Sequence, residues 1–223
     1  MSKVSRGEKG EEKVILELNK IKEYHHLLNN ITLVDKTSSM SHQIDHILIH
    51  PHGIFVIETK NYYGKIICDN NKQWFKIING VKTRISNPLL QNKSHQISLF
   101  RSLKGEYQSI PVVVFVENNA PYLPDDNCIN LKDLLLFISS YPYEHKYTKP
   151  TIDKIKKLIE KKNKDIELSE HVQNIKILKQ VKKEQEADIA FAIENGKCPW
   201  CDSPIIKRGN AFKCSKCKFE FKL

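Results

Sequence analysis

No stretch of this sequence is both long and apolar enough to cross a bilayer. The longest uninterrupted apolar runs, around Val112–Val116 and Leu134–Ile138, fall far short of a span. The opening MSKVSRGEKGEEK has no apolar core of the kind a secretory signal needs, so the cytoplasm is the expected compartment and no membrane partner is expected. Internal repeats are missing, apart from a pair of Cys-x-x-Cys motifs near the C-terminus. Acidic residues are in deficit, with 26 Asp and Glu against 36 Lys and Arg, for a formal charge of +10. That excess favours a polyanion such as nucleic acid as partner. What remains is the composition of a soluble globular protein, 40% apolar and 28% charged over 223 residues, enough for one ordinary domain and a small appendage.

Val14, Ile15, Leu18 and Ile21 recur at three- and four-residue spacing, which predicts a helix from Gly10. His25-His26 is expected at its end, as a complement to the helix dipole or a surface pair. Ile31–Val34 is a short apolar run followed by a polar loop. Strands are predicted over Gln43–Ile49 and Ile54–Lys60 around the turn Pro51-His52-Gly53, and over Lys65–Cys68. Gln73–Ile78 and Val81–Ile85 flank Asn79-Gly80, the dipeptide that most favours a type I′ hairpin. Asn87 and Pro88 read as N-cap and first residue of a helix carrying Leu89, Ile97, Phe100 and Leu103. Val112–Val116 suits a strand covered on both faces. Helices are predicted over Leu131–Ile138, along Ile152, Ile155, Leu158 and Ile159, and from Ser169 through Val172, Ile175, Leu178 and Val181 to near Gly196. Lys154–Lys164 reads chiefly as a solvated helix face. This order predicts an α/β layer fold with a mixed sheet flanked by helices.

The most informative stretch is QIDHILIHPHGIFVIETK, from Gln43 to Lys60. Asp and Glu are poor strand formers, and an unpaired charge is costly to desolvate. Glu58 and Lys60, two apart, share one face of a strand. If Pro51 pairs with Ile54 around a His52-Gly53 loop, Asp45 falls opposite Lys60 and diagonal to Glu58, with Cα atoms about 7–8 Å apart, within reach of one cation. A three-residue loop without a bulge would send Asp45 to the other face. Glu11 joins them as an acid on the apolar side of the first helix. Two carboxylates offer hard oxygen ligands to Mg²⁺ or Mn²⁺, and Lys60 can orient water or stabilise developing charge. The bland alternative is a surface Glu–Lys pair and an aspartate satisfied by backbone N–H groups. His42, His46, His50 and His52 alternate away from Asp45, which favours a structural or DNA-facing role over metal ligation. Cys68 and Cys128 read as buried free thiols.

Cys198-Pro-Trp-Cys201 and Cys214-Ser-Lys-Cys217 are two knuckles that can supply four thiolates to one Zn²⁺. The region from Gly196 is too short for an apolar core and needs such a staple. Lys207, Arg208, Lys213, Lys216, Lys218 and Lys222 give it a basic surface. Trp200, Phe212, Phe219 and Phe221 either offer stacking faces or pack its small core.

The blocks Gly7-Glu8-Lys9-Gly10-Glu11, Gln43-Ile44-Asp45-His46-Ile47, Gly53 to Tyr62, Gly64 and Asn87-Pro88-Leu89-Leu90-Gln91 occur in an order that resembles the nuclease-related domain family, a branch of the PD-(D/E)xK restriction-endonuclease-like superfamily. The resemblance spans roughly residues 7–120. It implies a restriction-endonuclease-like core with Asp45 and Glu58 as metal ligands, the Thr59 carbonyl as a further ligand and Lys60 as catalytic lysine. Glu11 would hold a metal-bound water, and Gln91 would touch a phosphate or base. Ile44 stands where the superfamily has proline, as this branch allows. The C-terminal segment resembles the zinc ribbon of type I topoisomerases, which implies single-stranded or distorted DNA as ligand.

The expected organisation is a nuclease-like domain over 1–145, a helical extension over 146–195 and a zinc ribbon over 196–223. The expected function is Mg²⁺- or Mn²⁺-dependent hydrolysis of nucleic-acid phosphodiesters, DNA foremost, with the ribbon aiding DNA binding. The alternative is an inactive DNA- or protein-binding module in a larger DNA-processing or defence assembly. The helical extension is a candidate surface for a protein partner or a second copy.

Overall fold

The computed structural model describes residues 5–34, 41–69, 73–118, 123–142, 146–163, 189–190, 192–198, 201–208, 211–217 and 220–222. The chain divides into two compact units, Met1–Asp165 and Ile166–Leu223.

In the first unit, helix α1 (Arg6–Leu18) precedes strands β1 (His26–Val34), β2 (Ser41–His50) and β3 (Gly53–Lys60). A small antiparallel sheet follows, β4 (Lys65–Cys68), β5 (Trp74–Ile78) and β6 (Val81–Ile85), and then α2 (Pro88–Ser102). Strands β7 (Ile110–Phe115) and β8 (Cys128–Asn130) and helices α3 (Leu134–Ser140) and α4 (Lys149–Glu160) complete it. The main sheet runs β1-β2-β3-β7-β8, antiparallel through β3 and parallel from β3 to β8. It is the mixed α/β architecture that the element order predicts.

Both faces of this sheet are covered, which is why β2, β3 and β7 read as nearly unbroken apolar runs. Ile47, Ile49, Ile54 and Val56 pack under Leu99 of α2, Leu103 at its C-cap and Ile152, Ile155 and Ile159 of α4. Leu48, Phe55, Ile57, Val112 and Val114 face Val14 and Leu18 of α1 and Leu134 and Ile138 of α3. Helix α4, placed by sequence at the start of a helical extension, therefore contributes three buried isoleucines to the same cluster as β1 and β2. The small sheet presses Ile66 and Trp74 onto Val113, Phe115 and Cys128. Its β5–β6 turn has φ 48° at Asn79 and 79° at Gly80, the pair of positive values that a type I′ hairpin requires.

Asn92 of α2 is fully buried and ties two parallel strands together, its Nδ2 donating to Val56 O and Val112 O, each at 2.9 Å. Pro111, paired with Val56, brings no N–H to that junction.

Three expectations are corrected. Helix α1 starts earlier than Gly10, because Ser5 and Glu8 form a capping box. It also ends at Leu18, so His26 is not a helix-terminal residue: it opens β1, and its Nε2 lies 2.7 Å from Asp153 Oδ1 of α4. The Asn29-Asn30 pair hides that strand from sequence reading; Asn30 takes φ 54° within it. Finally, the β2–β3 turn is Pro51-His52, with His50 paired to Gly53. Gly53 has φ 146°, and a Cβ there would sit 2.6 Å from Ile110 Cδ1. In this register Asp45 stands in line with Glu58, not Lys60. The shift is by two positions, so the face is unchanged.

The second unit contains an antiparallel sheet of β9 (Ile205–Arg208), β10 (Ala211–Cys214) and β11 (Glu220–Lys222), in the order β11-β10-β9. The long helix predicted from Ser169 lies outside the described residues up to Ile189, after which 189–190 and 192–195 are helical.

Candidate active site and metal centre

Strand β3 delivers Glu58 and Lys60 to one place at its C-terminal end. Lys60 Nζ donates to Glu58 Oε1 at 2.6 Å. Asn87 caps α2 and sets its first turn, which carries Gln91 into the same spot. Gln91 Nε2 donates to Glu58 Oε1 at 2.8 Å, and its Oε1 accepts from Lys60 Nζ at 3.1 Å. Strand and helix are thus closed into a hydrogen-bonded triangle.

His95, one helical turn beyond Gln91, was not singled out from sequence. Its Nδ1 lies 3.3 Å from Glu58 Oε2, off the hydrogen-bonding direction, so both atoms are buried without a hydrogen bond. The signal was its spacing: residues i and i+4 share a helix face.

Asp45 enters where the β2–β3 ladder stops. The last pair is His46 with Ile57, and Thr59 N, which could have continued the pairing, donates to Asp45 Oδ2 at 2.8 Å. Thr59 Oγ1 is buried without a hydrogen bond. Glu11 is half-buried on α1, and the helix is pressed against the end of β3. A Cβ on Gly10 would lie 2.7 Å from Asn61 Cβ, and Asn61 Nδ2 donates to Arg6 O at 2.7 Å. A glycine is needed for that approach.

These groups load each other electrostatically. Burial first, and then the Glu58 charge, push Asp45 up to about 7, with Glu11 adding to the rise. Burial also pushes Glu58 upward, but His95 and Lys60 outweigh it and hold the carboxyl below its ordinary value. Desolvation would lower the Lys60 pKa, yet the Glu58 charge and hydrogen bond raise it. Glu11 is raised by burial and by Glu58. The site thus raises the proton affinity of Asp45 while lowering that of Glu58. A native group that keeps its proton to higher pH than the unfolded chain costs stability as pH climbs from about 4 to about 7, so the cation-free fold is weaker above that window.

A divalent cation would relieve this load. The donors are hard oxygens, and Glu58 Oε2 is buried without a hydrogen bond. Among the described residues, the carboxylates of Glu11, Asp45 and Glu58 do not bring three oxygens within 4.8 Å of one another, and the four C-terminal cysteines alone form such a group.

The histidines do not build a second centre with Asp45. His46 is fully buried, its Nδ1 at 2.8 Å from Asn29 Oδ1, and burial pulls it down to about 4. His42 stands edge-on to His95, with centroids 6.1 Å apart, and His50 and His52 pair at 5.0 Å at the far end of β2. Cys128 is buried and pushed up to about 12, chiefly by desolvation, whereas Cys68 is only half-buried.

In the second unit, ligand atoms of Cys198, Cys201, Cys214 and Cys217 all lie within 4.8 Å of one another. The sulfurs of Cys198 and Cys217, and of Cys201 and Cys214, are 3.5 Å apart, so all four are free thiols in a tetrad and not disulfides. Backbone N–H groups of Lys216 and Cys217 both donate to Cys214 Sγ at 3.2 Å, and lower its pKa. Contacts from Ser203 bring Cys201 down to about 6. Thiolate-favouring geometry of this kind suits a tetrahedral metal such as zinc. Phe212 packs against the cysteines with Ala192 and Ile205, and Lys207 Nζ lies 5.6 Å from its ring centroid. Trp200, Phe219 and the Phe221 side chain lie outside the described residues.

Comparison with known proteins adds three findings. Residues 6–116 match the sequence model of the nuclease-related domain. An uncharacterized protein of Bacillus anthracis is 38% identical over 93 residues, which is 40% of this chain and 43% of that protein. The chain thus spans less than half the length of that relative, and no solved structure matches it. Glu11, Asp45, Glu58, Lys60 and Gln91 all fall inside the matched segment, and over it the chain carries a nuclease-related domain.

Proposed function

We propose that this protein is a metal-dependent nuclease that hydrolyses phosphodiester bonds of nucleic acid, DNA foremost, and that its ribbon carries one Zn²⁺ on Cys198, Cys201, Cys214 and Cys217 and aids DNA binding. The observation that carries the reading is the triangle of Glu58, Lys60 and Gln91 beside an aspartate whose proton affinity burial and then Glu58 raise. A merely structural Glu–Lys pair does not need a second carboxylate pressed against it at a desolvation cost.

Asp45, Glu58 and the Thr59 carbonyl would hold Mg²⁺ or Mn²⁺. Bound there, the cation supplies charge neutralisation for phosphoryl oxygens and acidifies water. The chain's own groups do the rest. Glu58, fixed by Lys60 and Gln91, is prevented from turning away from the site. The Lys60 ammonium faces the position where negative charge develops and orients the attacking water. Glu11 accepts a hydrogen bond from water on the α1 side. Gln91, held in the first turn of α2, reaches a phosphate oxygen or base edge.

The test is a cleavage panel with the zinc-loaded full chain, Mg²⁺ or Mn²⁺, and single-stranded, duplex, nicked and branched DNA, with RNA as comparison. Metal-dependent cleavage of at least one DNA substrate is the expected result. Binding without turnover on every substrate would replace the enzyme by a DNA-binding module.

A further inference from the structure

Next to the acidic cluster lies a cleft that the proposed chemistry does not use. Arg6, Lys9, Lys13, Asn61, Tyr63 and Glu117 line it, with a volume of about 380 Å³. Its walls are the residues that immediately follow β3 and β7, together with the exposed side of α1. Glu117 is paired with Lys13. Arg6 and Lys9 have no charge partner among the described residues, and they stand one helical turn apart. Tyr63, three residues beyond Lys60, presents a ring that is 61% exposed. Gly10 and the Asn61–Arg6 hydrogen bond hold α1 against this segment, and the same approach brings Glu11 to the site.

From this we infer that the cleft takes one nucleotide of an unpaired strand leaving the active site, with its base stacked on Tyr63 and its flanking phosphates on Arg6 and Lys9. The inference rests on the nuclease reading and specifies its substrate as single-stranded or frayed nucleic acid. A base inside a duplex has both faces covered by its neighbours and cannot stack on a side chain, whereas an unpaired base can. Two cations without acidic partners among the described residues can neutralise phosphates beside an exposed ring that can stack a base, and a cleft of about 380 Å³, at the lower end of small-ligand cavity sizes, suits a single nucleotide.

The experiment uses the full chain without added divalent cation, so that binding is read apart from cleavage. Fluorescence anisotropy with a labelled oligothymidylate and with a blunt duplex of equal length gives the affinities, and circular dichroism checks the fold of each variant. Tyr63→Ala is expected to weaken single-strand binding by about tenfold and duplex binding by less than about twofold. Tyr63→Phe, which keeps the stacking face, retains wild-type binding. The pair Arg6→Gln and Lys9→Gln flattens the salt dependence of single-strand binding by roughly 1.4 in the log–log slope, the value for two lost phosphate contacts. Equal losses on both substrates after Tyr63→Ala, or none on either, overturn the assignment. Failure of the two readings is distinguishable: a chain that binds through Tyr63 but never cleaves refutes only the nuclease, and one that cleaves with Tyr63 irrelevant to binding refutes only the cleft.

Discussion

Lys60→Ala is expected to lower metal-dependent cleavage by about 10²–10³-fold with little change in substrate affinity, and Glu58→Gln by at least about 10³-fold. The asymmetry follows from connectivity. Lys60 touches Glu58 and Gln91, and on the proposed mechanism its loss removes one preorganised positive group aimed at developing charge. Glu58 is the node that Lys60, Gln91 and His95 all approach, so its neutralisation also removes a proposed cation ligand. The amide of Glu58→Gln keeps the side chain's shape, which separates chemistry from collapse. Lys60→Ala does carry a folding risk. Its partner Glu58 is 2% exposed, and breaking a buried pair costs about 3–5 kcal/mol when the remaining charge stays uncompensated. A thermal melt of each variant beside the kinetics accounts for that. If both variants cleave like wild type, the end of β3 is not the reacting site.

Removing zinc is expected to unfold the second unit and leave the first. The ribbon's apolar cluster holds Ala192, Ile189, Ile205 and Phe212 around the four cysteines themselves, too little to fold without a staple. Structural zinc contributes about 10–16 kcal/mol of apparent binding energy in small zinc-finger peptides. Core clusters of the first unit, by contrast, draw every member from before Lys161. Full-length protein is expected to contain one zinc, and Cys198→Ser about none after dialysis against a mild chelator. Limited proteolysis then cuts between the cysteine pairs in the variant and not in wild type, while the main melting transition keeps its midpoint. A tetrad resistant to proteolysis without any metal would contradict this.

How much of this was readable from sequence depended on whether the deciding physics was local. The Asn79-Gly80 hairpin and the Asn87-Pro88 start of α2 were readable because turn and cap chemistry lie in the residues themselves. The cysteine tetrad was readable from spacing, since thiolate knuckles fold locally. The β2–β3 register was misread by two positions because the choice of loop depends on Gly53 sitting against Ile110, a residue far along the chain. β1 was undercounted because Asn29-Asn30 has the composition of a turn, yet the strand tolerates an αL residue there. β8 went unseen, being three residues long and paired only to β7. His95 was missed because its spacing from Gln91 gains meaning only from Glu58, which another element contributes.

The central claim is that Asp45 and Glu58 jointly hold a divalent cation. The most direct measurement is Mn²⁺ binding to the zinc-loaded full chain, followed by electron paramagnetic resonance at pH 6 and pH 8. The account predicts a single Mn²⁺ site in wild type. That site should be about tenfold weaker at pH 6, where Mn²⁺ must displace the proton that Asp45 holds up to about 7. Asp45→Asn and Glu58→Gln should each abolish it. Binding that is unchanged in both variants, or no binding in wild type at either pH, would contradict the account.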